Sequence, residues 1–365
     1  MFSQLAAKAR GRDAIALHVG DTYLEPPELA RVEALSGAHL YAYAPVQGEP
    51  SLLGAARDFV HRRHGVELDP ATVQVVSGAT AGLSVVSEAL LDPGDELLLP
   101  APYWPLIRGI VQKRGAVPVE IPVFDRLGEA GFDLEAELEA RVTEKTAAIY
   151  VNSPNNPTGA VYAERELAAI ARVAARHELW IWCDEVYEDL WLDEPPPKTW
   201  SRPDFIERAL VVHSLSKAYG LAGARVGFVH GPLSAMAAVR SVQTFSTYCA
   251  PRILQLGAAR ALAEGDAWLE SARALYASAA REAADALGVE PPRGGGFLFV
   301  DVRERRRAGE STFALLERCL DAGVLLTPGS SSGRDYEGWV RLCYTVVPPE
   351  ELRRALTALR VVLRG

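Results

Sequence analysis

Apolar residues recur at helical spacing over residues 51–64, gather into the β-branched run Val73-Gln74-Val75-Val76, and return to helical spacing over 80–91. Pro93-Gly94-Asp95 then turns the chain into Glu96-Leu97-Leu98-Leu99. Further strands are predicted over 116–122, 147–151 and 179–183, with an alanine-rich helix over 164–177 between the last two. Residues 209–213 and 224–229 read as two more buried strands. This exchange of periods predicts an α/β fold with a large, doubly wound, mostly parallel sheet.

After residue 232 the pattern changes to long helices rich in Ala, Leu, Arg and Glu, one of them over 267–287. Strand-like segments follow at 297–302, 324–327 and 339–346, and a last helix begins at Pro349. These elements predict a second, smaller α+β domain. Glu194-Pro195-Pro196-Pro197 reads as a rigid surface excursion and not as a boundary.

Composition narrows the partners. With 365 residues, 49% hydrophobic and 23% charged, the chain is long enough for a large core and ordinary for a globular protein. A net charge of −9 argues against a nucleic-acid surface, which needs a clustered basic face, so small-molecule partners are expected. Cys183, Cys249, Cys319 and Cys343 are widely spaced without a Cys-x-x-Cys pair, as for small buried residues in a reducing compartment. No apolar run is long enough to span a bilayer, and the first residues lack a signal core, so a cytoplasmic location and no membrane partner are expected.

In doubly wound folds ligands bind beyond the carboxyl ends of the strands, and several of those ends are chemically loaded. After residue 76 come Ser77-Gly78-Ala79-Thr80 and a helix start, which offers backbone N–H groups to an anion or is simply a capped glycine turn. After Cys183 come Asp184 and Tyr187. The carboxylate suits a helix cap, or a partner for a protonated pyridine nitrogen. Asn155-Asn156-Pro157-Thr158-Gly159 is turn chemistry or an amide donor to a phenolic oxygen. Pro102-Tyr103-Trp104-Pro105 is aromatic packing or a stacking face. The richest segment follows residue 213, where Ser214, Ser216, Lys217 and Arg225 combine an amine able to condense with a carbonyl and donors for a phosphate.

Taken in order with Tyr43-x-x-x-x-Gly48 and Val340-Arg341-Leu342, these motifs cover nearly the whole chain. The set resembles the class I/II pyridoxal-phosphate-dependent aminotransferases, the aspartate-aminotransferase-like group of fold-type I. The resemblance implies pyridoxal 5'-phosphate as cofactor and no metal. Lys217 would carry the cofactor as a Schiff base and then move the substrate α-proton. Asp184 would pair with the ring nitrogen, Tyr187 and Asn156 would bond the ring oxygen, and Trp104 would stack on the ring. Ala79, Thr80, Ser214, Ser216 and Arg225 would hold the phosphate, joined by Tyr43 from a second subunit of a homodimer. Arg341 would clamp the substrate α-carboxylate, with Asn156, Trp104 and Gly20 also lining the substrate site. By the same likeness the chain divides into an N-terminal segment, 1–44, packing with the small domain; a large cofactor-binding domain, 45–250; and a small domain, 251–365.

The expected reaction moves an α-amino group between an amino acid and a 2-oxo acid. The alternative is a C–S lyase or cyclising synthase, since the shared residues fix the cofactor and not the fate of the carbanion. A ligand-sensing module fused to a DNA-binding domain is disfavoured by the acidic chain and the absence of a preceding basic helix-turn-helix. The segment Leu17 to Tyr23 resembles the one that closes over the substrate in this family, so His18, Thr22 and Tyr23 are candidates for side-chain recognition, or else belong to a loop packed on the small domain. Ser330-Ser331-Ser332-Gly333 stands where relatives usually carry an aromatic residue, predicting a more open or polar substrate mouth. Arg252 and Arg293 are candidates for a second carboxylate clamp, although neither can be assigned to that task, so aspartate-type specificity is unsupported.

Overall fold

The computed structural model describes residues 2–363, so Met1, Arg364 and Gly365 of the two expected terminal segments lie outside the described residues. Helix α1 (Phe2–Ala9) and the two-residue strand β1 (Ile15–Ala16) open the chain. The alternating part starts with α2 (Pro50–His64), β2 (Val73–Val76), α3 (Ala79–Leu90), β3 (Glu96–Ala101), α4 (Pro105–Lys113) and β4 (Val117–Pro122). It continues with α5 (Leu134–Glu139), β5 (Thr146–Asn152), α6 (Glu164–Arg176), β6 (Trp180–Asp184), β7 (Ala209–Ser214), α7 (Leu215–Ala218), β8 (Gly227–His230) and α8 (Leu233–Ser246). The remainder contains α9 (Arg252–Glu264), α10 (Asp266–Leu287), β9 (Phe297–Asp301), α11 (Thr312–Asp321), β10 (Val324–Leu325), β11 (Thr327–Pro328), β12 (Trp339–Cys343) and α12 (Pro349–Leu363).

Seven strands form the main sheet in the order β2-β8-β7-β6-β5-β3-β4, parallel except where β8 runs against β2 and β7. Because side chains alternate across a strand, the central strands bury both faces. Ala148, Trp182, Leu210 and Val212 meet Leu83, Val86, Met236 and Val239 of α3 and α8 on one side. Ile149, Val151, Ile181 and Val211 face the opposite layer with Phe59 of α2 and Ile170 of α6. The α/β, mostly parallel sheet predicted from the pattern is present. No helix among the described residues is long and apolar enough to cross a membrane.

Two smaller sheets tie the ends of the chain together. Strand β12 pairs antiparallel with β9 and β11, while β1 pairs in parallel with β10 through Ile15↔Val324 and Ala16↔Leu325. The strand predicted over 324–327 is therefore two strands in two sheets, broken at Leu326. The one predicted over 339–346 stops at Cys343, after which the Tyr344 hydroxyl donates to the Gly295 carbonyl and the Thr345 hydroxyl to the Asp21 carbonyl. The strand predicted over 224–229 starts only at Gly227. Arg225 holds a left-handed backbone, φ 52°, which strand geometry excludes.

Candidate active site

Strands β5, β6 and β7 lie side by side and end together. Asn152 at the end of β5 registers with Asp184 at the end of β6, and Asp184 registers with Val212, two residues before Ser214. Beyond these ends opens a cleft whose empty space, counted out to open solvent, is about 650 Å³. Lys217, Asp184, Tyr187, Asn156 and Trp104 line it, as do Ala79, Thr80, Ser214, Ser216 and Arg225. Gly20 and Arg341 complete the wall toward the small sheets. Sequence motifs spread over more than 300 residues thus converge on one cavity. Of the residues that the resemblance assigns to the cofactor or the α-carboxylate, Tyr43 alone lies elsewhere: it is 83% exposed in the single chain and meets Tyr248 edge-on at 5.4 Å.

Each side chain is placed by a local cause. Ser214 caps the single-turn helix α7, its hydroxyl oxygen accepting from the Ser216 N–H at 3.1 Å, and so turns Lys217 into the cleft. The Lys217 ammonium donates to the Gly20 carbonyl. Burial, helped by Arg225 and Arg341, holds its pKa below the ordinary value against the opposing pull of Asp21 and Cys343. Gly78 enters α3 at φ 82°, and a Cβ there would stand 2.5 Å from the Arg225 guanidinium. The missing side chain lets that cation lie against the start of α3, where free N–H groups already favour an anion. Gly20 is equally constrained, because a Cβ would fall 2.5 Å from the Phe297 ring.

Asp184 is a fully buried carboxylate with no cationic partner among the described residues. Burial pushes its pKa up to about 6, opposed by a bond from the Tyr150 hydroxyl, a long contact from the Val186 N–H and nearby His213. A protonated ring nitrogen would supply the missing partner. Arg341 is buried in the same way without a carboxylate: Nη1 donates to Asn156 Oδ1 at 2.9 Å, Nη2 to the His18 carbonyl at 2.8 Å, and Nε has no acceptor. Its guanidinium lies 4.5 Å from the Phe297 ring centre. The uncommitted N–H groups of this planar fork suit a carboxylate. Asn156 also donates to the Tyr187 hydroxyl at 3.2 Å, whose own pKa is raised by burial. The two readings of the neighbouring asparagines are divided between them: Asn155 makes the turn, accepting from Thr158 and donating to the Pro102 carbonyl, while Asn156 faces the cleft.

The His18 carbonyl meets Arg341, and burial with that guanidinium holds the His18 imidazole below its usual range. Thr22 bonds Tyr276 behind Lys217, and the Tyr23 N–H donates to the Thr345 carbonyl. Ser330, Ser331 and Ser332 do not line the cleft; the Ser332 carbonyl accepts from the Tyr103 N–H at 2.9 Å, which ties this segment to the Trp104 turn. Arg252 pairs with Glu49 and Arg293 with Glu194, both away from the cleft, so neither serves as a second clamp within the chain.

A polar network behind the cleft was not read from the sequence. Glu188 accepts from His64 at 2.8 Å and from His213 at 2.5 Å, and His213 reaches His230 at 3.0 Å. Burial works against the Glu188 charge, yet the two histidines hold it well below the usual carboxylate range. A signal was available only in the pair Tyr187-Glu188 following Asp184, since the histidines come from three separate elements.

A family profile described as aminotransferase class I and II matches residues 12–359. The chain is similar to the aspartate/prephenate aminotransferase of Thermus thermophilus, 34% identical over 98% of this chain and 93% of that protein. It is also similar to the arginine–pyruvate transaminase of Pseudomonas aeruginosa, 32% identical over 97% and 92% of the two chains. Among solved structures, a double mutant of Thermus thermophilus aspartate aminotransferase superposes with a TM-score of 0.90, at 31% identity over 99% of this chain and 96% of that one. The N-succinyldiaminopimelate aminotransferase from Mycobacterium tuberculosis superposes at 0.91, with 28% identity and coverage of 99% and 96%.

Proposed function

Because the chain belongs to the class I and II aminotransferases, we propose that it moves an α-amino group between an amino acid and a 2-oxo acid in the cleft below Arg341, with pyridoxal 5'-phosphate bound there. The observation that carries the reading is the convergence of three buried groups on one cavity: an amine, a carboxylate and a guanidinium, the last two lacking oppositely charged partners. The donor set fits the cofactor. Thr80 and the start of α3, Ser214, Ser216 and Arg225 would hold its phosphate, Asp184 its ring nitrogen, Tyr187 and Asn156 its ring oxygen, Trp104 its face, and Lys217 its carbonyl carbon.

When bound, the cofactor would supply an electron-withdrawing ring that stabilises negative charge on the substrate α-carbon. The chain's own residues would do the rest. Lys217, whose charged form burial disfavours, would take the proton from the substrate α-carbon and return it to the carbon two bonds away, across the nitrogen. Arg341 would fix the substrate α-carboxylate with two parallel bonds, while Asn156, tied to both Arg341 and Tyr187, would keep that clamp in register with the ring. The named relatives act on donors as different as aspartate and arginine. The α-carboxylate is common to them, and Arg341 would read that part.

In this reading residues 1–44 and 251–365 form the smaller body against the large domain 45–250, and Tyr43 completes the phosphate site of a second copy in a cytoplasmic homodimer. Its exposure in the single chain supports that role. Incubating the enzyme with candidate amino acids and pyruvate tests the function. Formation of alanine together with a new 2-oxo acid is expected, whereas release of ammonia or a thiol without alanine would refute transfer in favour of elimination.

A further inference from the structure

The carboxylate that faces the cleft is held from behind by a residue the reaction does not otherwise use. Tyr150 lies on β5 two positions before Asn152, on the sheet face it shares with Trp182, and so comes diagonally under the end of β6. Its hydroxyl is fully buried and donates to Asp184 Oδ2 at 2.5 Å. Among the described residues it is the one side chain bonded to that carboxylate. The other contact, from the Val186 N–H to Oδ1, is long at 3.4 Å. Oδ1 is therefore left for the cleft.

We propose that Tyr150 is a positioning residue that fixes the rotamer of Asp184 and keeps it ionised, so that the proton between carboxylate and cofactor ring resides on the ring. The proposal rests on the assignment of Asp184 to the ring nitrogen given above. A buried carboxylate with no charged partner tends to take up a proton, and burial does raise Asp184 toward neutrality. A short bond from a neutral hydroxyl counters that tendency by stabilising the anion, whereas a phenylalanine there would leave the proton on the acid. Tyrosine suits this task because its burial pushes its own acidity further from reach, so it donates and does not ionise. The other charged or titratable groups around Asp184 are Cys183, Glu185 and Tyr187 on its own segment, His213 on β7 with Glu188 behind it, and Lys217, Arg225 and Arg341 across the cleft. Of these, only His213 shifts Asp184 in the same direction as Tyr150, and it does so without a bond.

Tyr150→Phe removes one oxygen and keeps the ring in the core. The control is Tyr162→Phe, which deletes an equally buried hydroxyl that has no partner and lies outside the cleft. The enzyme is reconstituted with pyridoxal phosphate labelled with ¹⁵N in the ring, and the nitrogen shift is read by NMR. In the full chain without cofactor, the Asp184 carboxyl is titrated through its ¹³C resonance, identified by its loss in Asp184→Asn. Wild type and Tyr162→Phe are expected to give a protonated ring nitrogen. In Tyr150→Phe the nitrogen should move toward the neutral value, Asp184 should titrate roughly one to two pH units higher, and kcat should fall roughly tenfold or more with KM little changed. An unaltered Asp184 titration and ring-nitrogen shift in Tyr150→Phe, beside a protonated wild type, would overturn the role of Tyr150 and leave that of Asp184 standing. A wild-type ring nitrogen without a proton would overturn the Asp184 assignment itself, and the proposal falls with it.

Discussion

Replacing Arg341 with lysine keeps a positive charge in the cleft and removes its shape. The arginine donates to Asn156 Oδ1 at 2.9 Å and to the His18 carbonyl at 2.8 Å, makes a longer contact to the Thr327 hydroxyl at 3.5 Å, and rests on Phe297. Its free N–H groups can therefore meet both oxygens of a carboxylate at once. A lysine ammonium is a point donor that can reach one oxygen well and cannot stack. The ring contact is already present without substrate, so the loss in substrate binding is one charge-assisted hydrogen bond, about 1.5–3 kcal/mol. That corresponds to a roughly 10- to 150-fold fall in kcat/KM for the amino donor. Because the carboxylate is equally present in ground and transition states, the fall should appear mainly in KM. Stopped-flow measurement of the first half-reaction at a range of donor concentrations separates the two. Undiminished kcat/KM in a folded Arg341→Lys enzyme would show that the substrate carboxylate binds elsewhere.

Four further outcomes follow from the same geometry. Lys217→Ala should lower turnover by at least about 10⁴-fold, the upper range for a lost proton-transfer group, in a protein whose circular dichroism is unchanged; near-normal turnover would remove the mechanism. Burial pushes the Asp184 carboxyl up to about 6 from its ordinary value of 3.8, so the native state holds its proton more tightly and this group costs stability as pH rises from about 4 to 6. Over that window the cofactor-free wild type should lose up to about 3 kcal/mol relative to Asp184→Asn, read as melting curves of both proteins at each pH, and parallel curves would contradict the burial of the charge. Gly78→Ala should cost about 1–3 kcal/mol in stability through its positive φ and its collision with Arg225, and weaken cofactor binding in equilibrium dialysis; unchanged affinity would place the phosphate elsewhere. Mixing Lys217→Ala with Tyr43→Ala should rebuild one intact site per hybrid dimer and restore roughly a quarter of wild-type activity, whereas no recovery despite subunit exchange would deny Tyr43 a place across the interface.

Much of the cleft was legible because doubly wound sheets put chemistry at strand ends, and those ends are local in sequence. Asp184 follows an apolar run, Lys217 follows another, and each carries its neighbours with it. What stayed hidden has two physical sources. Tyr150 sits in the middle of an apolar strand, where its spacing is that of any core residue and only the sheet register reveals the carboxylate beside it. The histidines around Glu188 come from α2, β7 and β8, and no local spacing announces their meeting. The strand start expected near residue 224 has a third cause: Arg225 is an ordinary residue by composition, and nothing local signals the left-handed backbone with which it reaches Gly78.

The pairing of β1 with β10 gives the chain a long wait between translation and activity. Gly20 and His18, which touch Lys217 and Arg341, leave the ribosome long before the strand that docks their segment, made only at Val324, and the Thr327 hydroxyl reaches the His18 carbonyl across 309 positions. The large sheet can form on the nascent chain. Its cleft acquires the wall carrying Arg341 only after β12 has emerged, so a chain stopped before that strand holds Lys217 in a groove without its carboxylate clamp.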